Sequence, residues 1–187
     1  MKLFTHIAAL FLTAATLAGT TVAAQAGTPT STVIKNVTKI EVSGNIALTL
    51  VQSANEQIRT FDAKKLQISQ EGSVLKINAP TSEKVVVQVS LQNLLSITAA
   101  DRASVVTCGR FNLVDLSVQL SGYATADINT STIFLRSSVN DFASLTLSGT
   151  STQYAGTLSA GARVSLQQFK SDQTWVSSRM PVFAAAK

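Results

Sequence analysis

A nine-residue unit recurs four times in the second half of this 187-residue chain, at residues 99–107, 120–128, 139–147 and 158–166. The copies follow one another at steps of 21, 19 and 19 residues. Alanine occupies the fifth place in every copy, as Ala103, Ala124, Ala143 and Ala162. A period of about 20 residues with strand-like alternation is typical of a β-solenoid, in which each repeat forms one rung. The repeat therefore predicts an all-β solenoid with rungs of about 20 residues.

Alternation around the alanine predicts which side chains face the core. The second place after the alanine holds Val105, Ala126, Leu145 and Val164, whereas the places between are mostly polar. Successive side chains of a strand point to opposite faces, so the alanine and its even neighbours are expected to face inward. The repeated alanine then marks a narrow position in the core. In no segment do apolar residues recur with the helical period of 3.6 residues, so essentially no helix is expected beyond the N-terminal leader.

The first 26 residues have the features of a secretory signal peptide. Lys2 supplies a short positive region, residues 7–18 are apolar apart from two threonines, and Ala24 and Ala26 form a small-x-small cleavage site. This pattern predicts cleavage before Gly27 and export to the periplasm or the cell surface. No later stretch has the roughly 20 apolar residues of a membrane helix, so no transmembrane segment is expected in the mature chain.

The remaining chain divides into three predicted segments. Residues 27–32 are polar and are expected to form a flexible lead. Residues 33–91 contain short alternating strands, with a bend at residues 43–45 and a hairpin turn at residues 71–73; they form either early rungs or a β-cap. Residues 92–187 form the repeat solenoid with a C-terminal cap, in which Phe169 and Trp175 are expected to cover the last rung.

Composition excludes several classes of activity. The only histidine, His6, lies in the predicted leader, so the mature chain lacks Ser-His-Asp and Cys-His arrangements and histidine metal sites. The single cysteine, Cys108, cannot form an internal disulfide and is expected to be a small packed residue rather than a nucleophile. The ten acidic residues are dispersed, so no metal or other cofactor is predicted. The 15 basic residues are equally scattered, so no nucleic-acid partner is expected.

Several segments resemble a bacterial family of exported domains, the GIN domain, described as the head of an auto-transporter adhesin. Residues 40–50 are similar to the opening segment of that family, residues 66–77 resemble its strand pair, and residues 120–122 and 147–149 match its Leu-Ser-Gly repeat ending. The resemblance extends over residues 33–178. Two repeats depart from it, because residues 100–102 and 140–142 replace the small residues of the family. The resemblance implies a right-handed parallel β-helix and supplies no catalytic residues.

One outward column of the repeat is the first candidate binding site. The place before the alanine holds Arg102, Tyr123, Phe142 and Gly161. In stacked rungs about 4.8 Å apart these residues would form an exposed stripe of guanidinium, phenol and phenyl groups. Such a stripe can stack on a sugar face or grip a peptide. Alternatively, it is an aromatic ladder that stabilises adjacent rungs.

Two aspartates form the second candidate site. Asp101 and Asp141 occupy the same column two rungs apart, which separates their backbones by about 9.6 Å. Carboxyl groups about 6.5–9.5 Å apart can catalyse inverting glycoside hydrolysis. Asp is equally a favoured turn residue, because its side chain forms local hydrogen bonds.

These observations lead to one principal hypothesis and two alternatives. The principal hypothesis is a non-enzymatic exported module of the cell envelope that binds through the stripe of Arg102, Tyr123 and Phe142, with an envelope glycan, a peptide or another copy as its partner. The first alternative is a polysaccharide-active enzyme that uses Asp101 and Asp141. The second is a structural head whose open edges join other copies.

Overall fold

The computed structural model describes residues 30–179, and the predicted signal peptide at residues 1–26 lies outside them. The described residues form 14 strands and a single three-residue 3-10 helix at Ala63–Lys65, so the expectation of almost no helix is confirmed for them. The strands are β1 (Thr30–Val33), β2 (Lys39–Gly44), β3 (Ile46–Gln52), β4 (Gln57–Thr60), β5 (Gln67–Glu71), β6 (Val74–Ala79), β7 (Val85–Leu91), β8 (Ser96–Ala99), β9 (Ser104–Cys108), β10 (Phe111–Asn112), β11 (Asp115–Leu120), β12 (Thr125–Val139), β13 (Ser144–Ser159) and β14 (Arg163–Arg179).

All 14 strands belong to one mixed sheet, and the prediction of a right-handed parallel β-helix is wrong. The main path through the sheet runs β1-β4-β7-β3-β9-β12-β11-β8-β2-β6-β5, with β13 joined to β12 and β14 joined to β13. Three pairs are antiparallel, namely β1 with β4, β4 with β7, and β5 with β6. The architecture is all-β, as expected, but it is a mixed half-barrel and not a solenoid of parallel rungs.

The antiparallel pairs come from the first half of the chain, where the nine-residue unit is absent. Strands β5 and β6 are joined by the predicted hairpin turn, in which Gly72 has a φ of +58°. A turn of this length reverses the chain and therefore forces antiparallel pairing. The first strand, β1, begins at Thr30, so three residues of the predicted flexible lead 27–32 are paired with β4. The repeat could not predict this half of the sheet because it does not extend into it.

In the second half, the repeated units pair in parallel and in register. Thr125 of β12 lies beside Ser104 of β9 on one side and beside Ser144 of β13 on the other. The next pair in this column joins Ser144 to Arg163 of β14. These offsets are the steps of the sequence repeat. The repeat therefore predicted strand neighbours and register correctly, although it did not predict the shape of the whole sheet.

The alanine column faces the core, as predicted. Ala103, Ala124 and Ala143 are fully buried, and Ala162 at the end of the column is half-buried. The column that follows it, with Val105 and Leu145, is buried as well. Stacking places each alanine against the alanine of the next repeat, so the core has room for a methyl group and for little more there.

Tyr154 is the largest fully buried side chain, and it brings a hydroxyl group into the core. The Tyr154 hydroxyl and Ser137 Oγ are hydrogen-bonded at 2.9 Å, and the ring meets Phe169 edge to face at a centroid distance of 5.5 Å. A Cβ at position 156 would lie 2.7 Å from the Tyr154 hydroxyl oxygen. Gly156 therefore leaves the space that this hydroxyl occupies in the middle of a strand.

Burial of Tyr154 predicts a loss of stability at alkaline pH. Burial raises the pKa of the Tyr154 phenol above its ordinary value, although the hydrogen bond to Ser137 lowers it. The folded-state pKa is thus above that of the unfolded chain, so this contribution to stability is intact below about pH 10 and is lost as the pH rises from there through the folded-state pKa. The free energy of unfolding, measured with urea above and below this pH, should fall more steeply with rising pH in the wild type than in Tyr154→Phe. Equal slopes in the wild type and Tyr154→Phe would contradict the assignment.

Candidate functional site

Three tight turns lie one above another at the ends of successive strands, immediately before the buried alanines. Each is closed by a backbone hydrogen bond, such as the 3.2 Å bond from the Ala124 N–H to the Ser121 carbonyl. The first central residue of each turn has a positive φ: 60° at Asp101, 67° at Gly122 and 58° at Asp141. A type II′ turn requires a positive φ at this place. The second central residue of each turn, in the column before the alanine, is exposed to solvent.

Tyr123 and Phe142 occupy that column in neighbouring turns, and their rings are stacked. The ring centroids are 5.6 Å apart and the ring planes differ by 12°. Both side chains are nevertheless about two-thirds exposed, at 64% for Tyr123 and 66% for Phe142. We call this pair the aromatic stack. Aromatic pairs at such centroid distances attract one another, and here the pair also forms a continuous apolar surface open to solvent.

The backbone fixes the position of the aromatic stack. The Tyr123 N–H donates to the Asp101 carbonyl at 2.7 Å, and the Phe142 N–H donates to the Gly122 carbonyl at 3.0 Å. Phe142 also lies over the following turn, since a Cβ at Gly161 would be 3.2 Å from the Phe142 ring. The rings are thus carried by hydrogen-bonded turns on a buried core, which leaves them little conformational entropy to lose when a ligand binds.

Arg102 lies in the same column but borders a different surface. It is exposed and, together with Asp101, lines a hollow of about 290 Å³ against residues 79–82 and 44–45. The structure therefore brings together two members of the predicted stripe, Tyr123 and Phe142, whereas Arg102 lies at the border of this hollow.

The two aspartates stabilise the turns in which they lie. Asp101 Oδ2 accepts a hydrogen bond from the Gly44 N–H at 3.0 Å, and Asp141 Oδ2 accepts one from the Gly122 N–H at 2.8 Å. The Asp141 N–H in turn donates to Ser159 Oγ at 2.8 Å. Each carboxylate thus joins its own turn to the turn before it. The turn interpretation predicted local hydrogen bonds, whereas these two bonds reach residues 57 and 19 positions earlier in the chain.

A further concavity lies on the outer face of the last four strands, and sequence reasoning missed it. It has a volume of about 730 Å³ and runs across β11, β12, β13 and β14. Arg136, Ala155 and Trp175 lie side by side in neighbouring strands, and the small Ala155 leaves the floor low between two large side chains. Arg136 is held by a 2.7 Å ion pair with Asp115. We call this concavity the Trp175 hollow.

Two individual predictions are corrected here. Trp175 does not cover the end of the sheet, because it projects into the hollow and is 56% exposed; Phe169 alone of the predicted pair packs against the core. Cys108 is not packed, since it is exposed at the end of β9, where the strand meets a glycine with positive φ. The signal for the Trp175 hollow was the column of residues 117, 136, 155 and 175, which is visible only when the strand register is known.

Comparison with known proteins identifies the family. A profile described as "Putative auto-transporter adhesin, head GIN domain" matches residues 36–179, which is most of the chain. The chain belongs to the GIN domain family. No curated protein matches this GIN domain.

Solved structures share the fold of this GIN domain at low sequence identity. A "putative adhesin" from Parabacteroides distasonis has 15% identity and a TM-score of 0.62, with 82% of this chain and 79% of that chain covered. One from Parabacteroides merdae has 14% identity and a TM-score of 0.60, with 82% and 80% covered. A "putative lipid binding protein" from Parabacteroides distasonis has 11% identity and a TM-score of 0.60, with 82% and 81% covered. The descriptions of these three structures differ, although their fold is shared.

Within residues 30–179 of this GIN domain, no group of three or more His, Cys, Asp or Glu side chains is arranged to hold a metal ion. The same residues contain no helix of the length and apolarity needed to cross a membrane.

Proposed function

We propose that this GIN domain is an exported, non-enzymatic module of adhesion type that contacts its ligand through the aromatic stack. The observation that carries the proposal is the stack itself, in which two large rings remain about two-thirds exposed while their backbones are fixed by turns on a buried core. Aromatic residues that are rigidly held and solvent-exposed provide contact area at low entropic cost.

The chemistry of the aromatic stack fits the flat apolar face of a sugar or the side chains of a peptide. The rings offer one extended apolar face with a single hydroxyl, from Tyr123, at its margin. Arg102 lies one turn away from Tyr123 and lines the neighbouring hollow of about 290 Å³. Asp101 and Asp141 support this surface from below by bonding the turns to one another. Their role in the proposal is therefore to position the turns and not to transfer protons.

The predicted leader and the family support the envelope location. Residues 1–26 have the composition of a signal peptide, and the family is described as an adhesin head. An exported chain with few charged side chains, 13% of its residues, presents a surface rich in hydroxyl groups. We place this GIN domain in the periplasm or on the cell surface.

The aromatic stack should be essential for binding. The exported chain is coupled to beads and applied to an array of immobilised envelope glycans and peptides. Tyr123→Ala combined with Phe142→Ala should weaken binding by about tenfold or more, because it removes the central aromatic contacts. Phe61→Ala is the matched control, since Phe61 is an aromatic residue of similar exposure, 55%, on a different part of the surface. It should bind as the wild type does.

Two outcomes of the array experiment would contradict the proposal. If Trp175→Ala abolishes binding and the stack variant retains it, the Trp175 hollow is the contact surface. If the wild type releases reducing sugar from a glycan and Asp101→Asn or Asp141→Asn loses that activity, the protein is an enzyme.

A further inference from the structure

Strand β14 is a long free edge of the sheet. It extends over 17 residues, Arg163–Arg179, and among residues 30–179 its only neighbour is β13. A free edge exposes a row of backbone N–H and C=O groups that can pair with another strand. Natural edge strands are usually short, bulged or covered. Strand β14 keeps one register with β13 from Gln168 to Arg179, and Asp172 is the one residue of this stretch that is not paired with β13.

The core is also incompletely covered at this edge. Leu145 and Leu147 of β13 are fully buried, whereas Val164 and Leu166 at the matching places of β14 are only half-buried. Further along the strand, Val176 is 52% exposed. These three side chains flank residues 168–174, the central stretch of the strand.

The sequence of β14 is complementary to itself about Ser171. In an antiparallel pair of two β14 strands centred on this residue, Lys170 of each copy lies directly opposite Asp172 of the other. Both side chains are exposed in the isolated chain. Opposite charges placed directly across an antiparallel pair attract, and the two-fold symmetry produces the contact twice. Within residues 168–174 the remaining opposed residues are Gln168 with Thr174, Phe169 with Gln173, and Ser171 with itself. Pairing over the full length of β14 would place Arg163 opposite Arg179, so the proposed pairing is confined to residues 168–174.

We propose that two copies of this chain pair edge to edge through β14, antiparallel and centred on Ser171, with reciprocal Lys170–Asp172 ion pairs. The only bulge in the ladder between β13 and β14 lies before Gln168, outside the paired segment. The pairing joins the sheet of one copy to the sheet of the other over residues 168–174 and covers that part of both free edges. It also places two aromatic stacks in one assembly, which would raise the avidity for a surface that carries many ligands.

Charge exchange tests both the partner and the register. The experiment measures the mass of the exported chain by sedimentation over a range of concentrations at low ionic strength. It is carried out in a Cys108→Ser background, because the exposed thiol of Cys108 could otherwise cross-link two copies. The wild type should dimerise with increasing concentration. Lys170→Asp places two aspartates opposite each other and Asp172→Lys places two lysines there, so each should weaken association by about tenfold or more.

Two combinations should restore the dimer. The double variant Lys170→Asp with Asp172→Lys re-forms both ion pairs with their polarity reversed. An equal mixture of the two single variants should form heterodimers, because both contacts across the two-fold axis then join an aspartate of one chain to a lysine of the other. Circular dichroism of every variant should match the wild type, since both positions are exposed.

Three results would overturn the proposal. The first is a wild type that stays monomeric and dimerises only after residues 180–187 are removed, which would mean that this segment covers the edge. The second is a wild type that stays monomeric with or without those residues. The third is a dimer that neither single variant weakens, since the two chains would then meet through another surface or register.

Discussion

Gly149→Ala is expected to lower the free energy of unfolding by about 2–5 kcal/mol. Gly149 has a φ of +97°, which costs a residue with a side chain about 1–2 kcal/mol. A Cβ there would also overlap the carbonyl oxygen of Thr130 in the neighbouring strand, so the two strands would have to separate. Urea unfolding of the purified protein measures the change.

Gly109→Ala is the control that isolates the contribution of the close approach between Gly149 and Thr130. Gly109 has a similar φ of +82°, but a Cβ there would have no neighbouring atom within 4 Å. This variant should therefore lose only the conformational cost, about 1–2 kcal/mol. Equal losses in the two variants would show that strand β12 does not lie against Gly149 as described.

Ala143→Leu is the second change with a large expected effect, a loss of about 1–3 kcal/mol of stability from overpacking. Ala143 is fully buried in a column that continues through Ala124, so the added isobutyl group meets a side chain position already filled by the neighbouring repeat. Thermal unfolding followed by circular dichroism should show a clearly lower midpoint.

Ala155→Leu is the matched control for Ala143→Leu. It makes the same change on β13, at an exposed position in the Trp175 hollow. Its midpoint should stay close to that of the wild type. An unchanged midpoint in Ala143→Leu would mean that this alanine does not face a packed core.

The repeat predicted the local register of the sheet and not its overall form. The spacing of the alanines fixes which strands are neighbours, because like residues stack when each repeat advances the chain by one strand spacing. Spacing does not determine how the sheet curves, and the first half of the chain adds antiparallel pairs through the hairpin at Gly72 and through β4. The parallel β-helix was predicted from the repeat in the second half of the chain, and the prediction does not hold for the first half.

The sequence likewise predicted one part of the candidate site, the aromatic stack, and not the other, the Trp175 hollow. Counting from the alanine placed Tyr123 and Phe142 together on an outward column, and the structure stacks them. Counting could not place Trp175, because an extra residue in β14 shifts its ladder by one between Thr146 and Ser148 of β13. The hollow beside Trp175 depends on that shifted register, so it could be found only from the paired strands.

The central claim is that the aromatic stack serves contact and is not required for the fold, and the unfolding free energy of the Tyr123→Ala/Phe142→Ala double variant tests it most directly. Both rings are about two-thirds exposed, so truncation should cost little beyond the ring pair itself, about 0.5–1.5 kcal/mol, with a folded protein at room temperature. A loss above about 3 kcal/mol, the range of a buried Phe→Ala change, would show instead that the rings form a structural ladder.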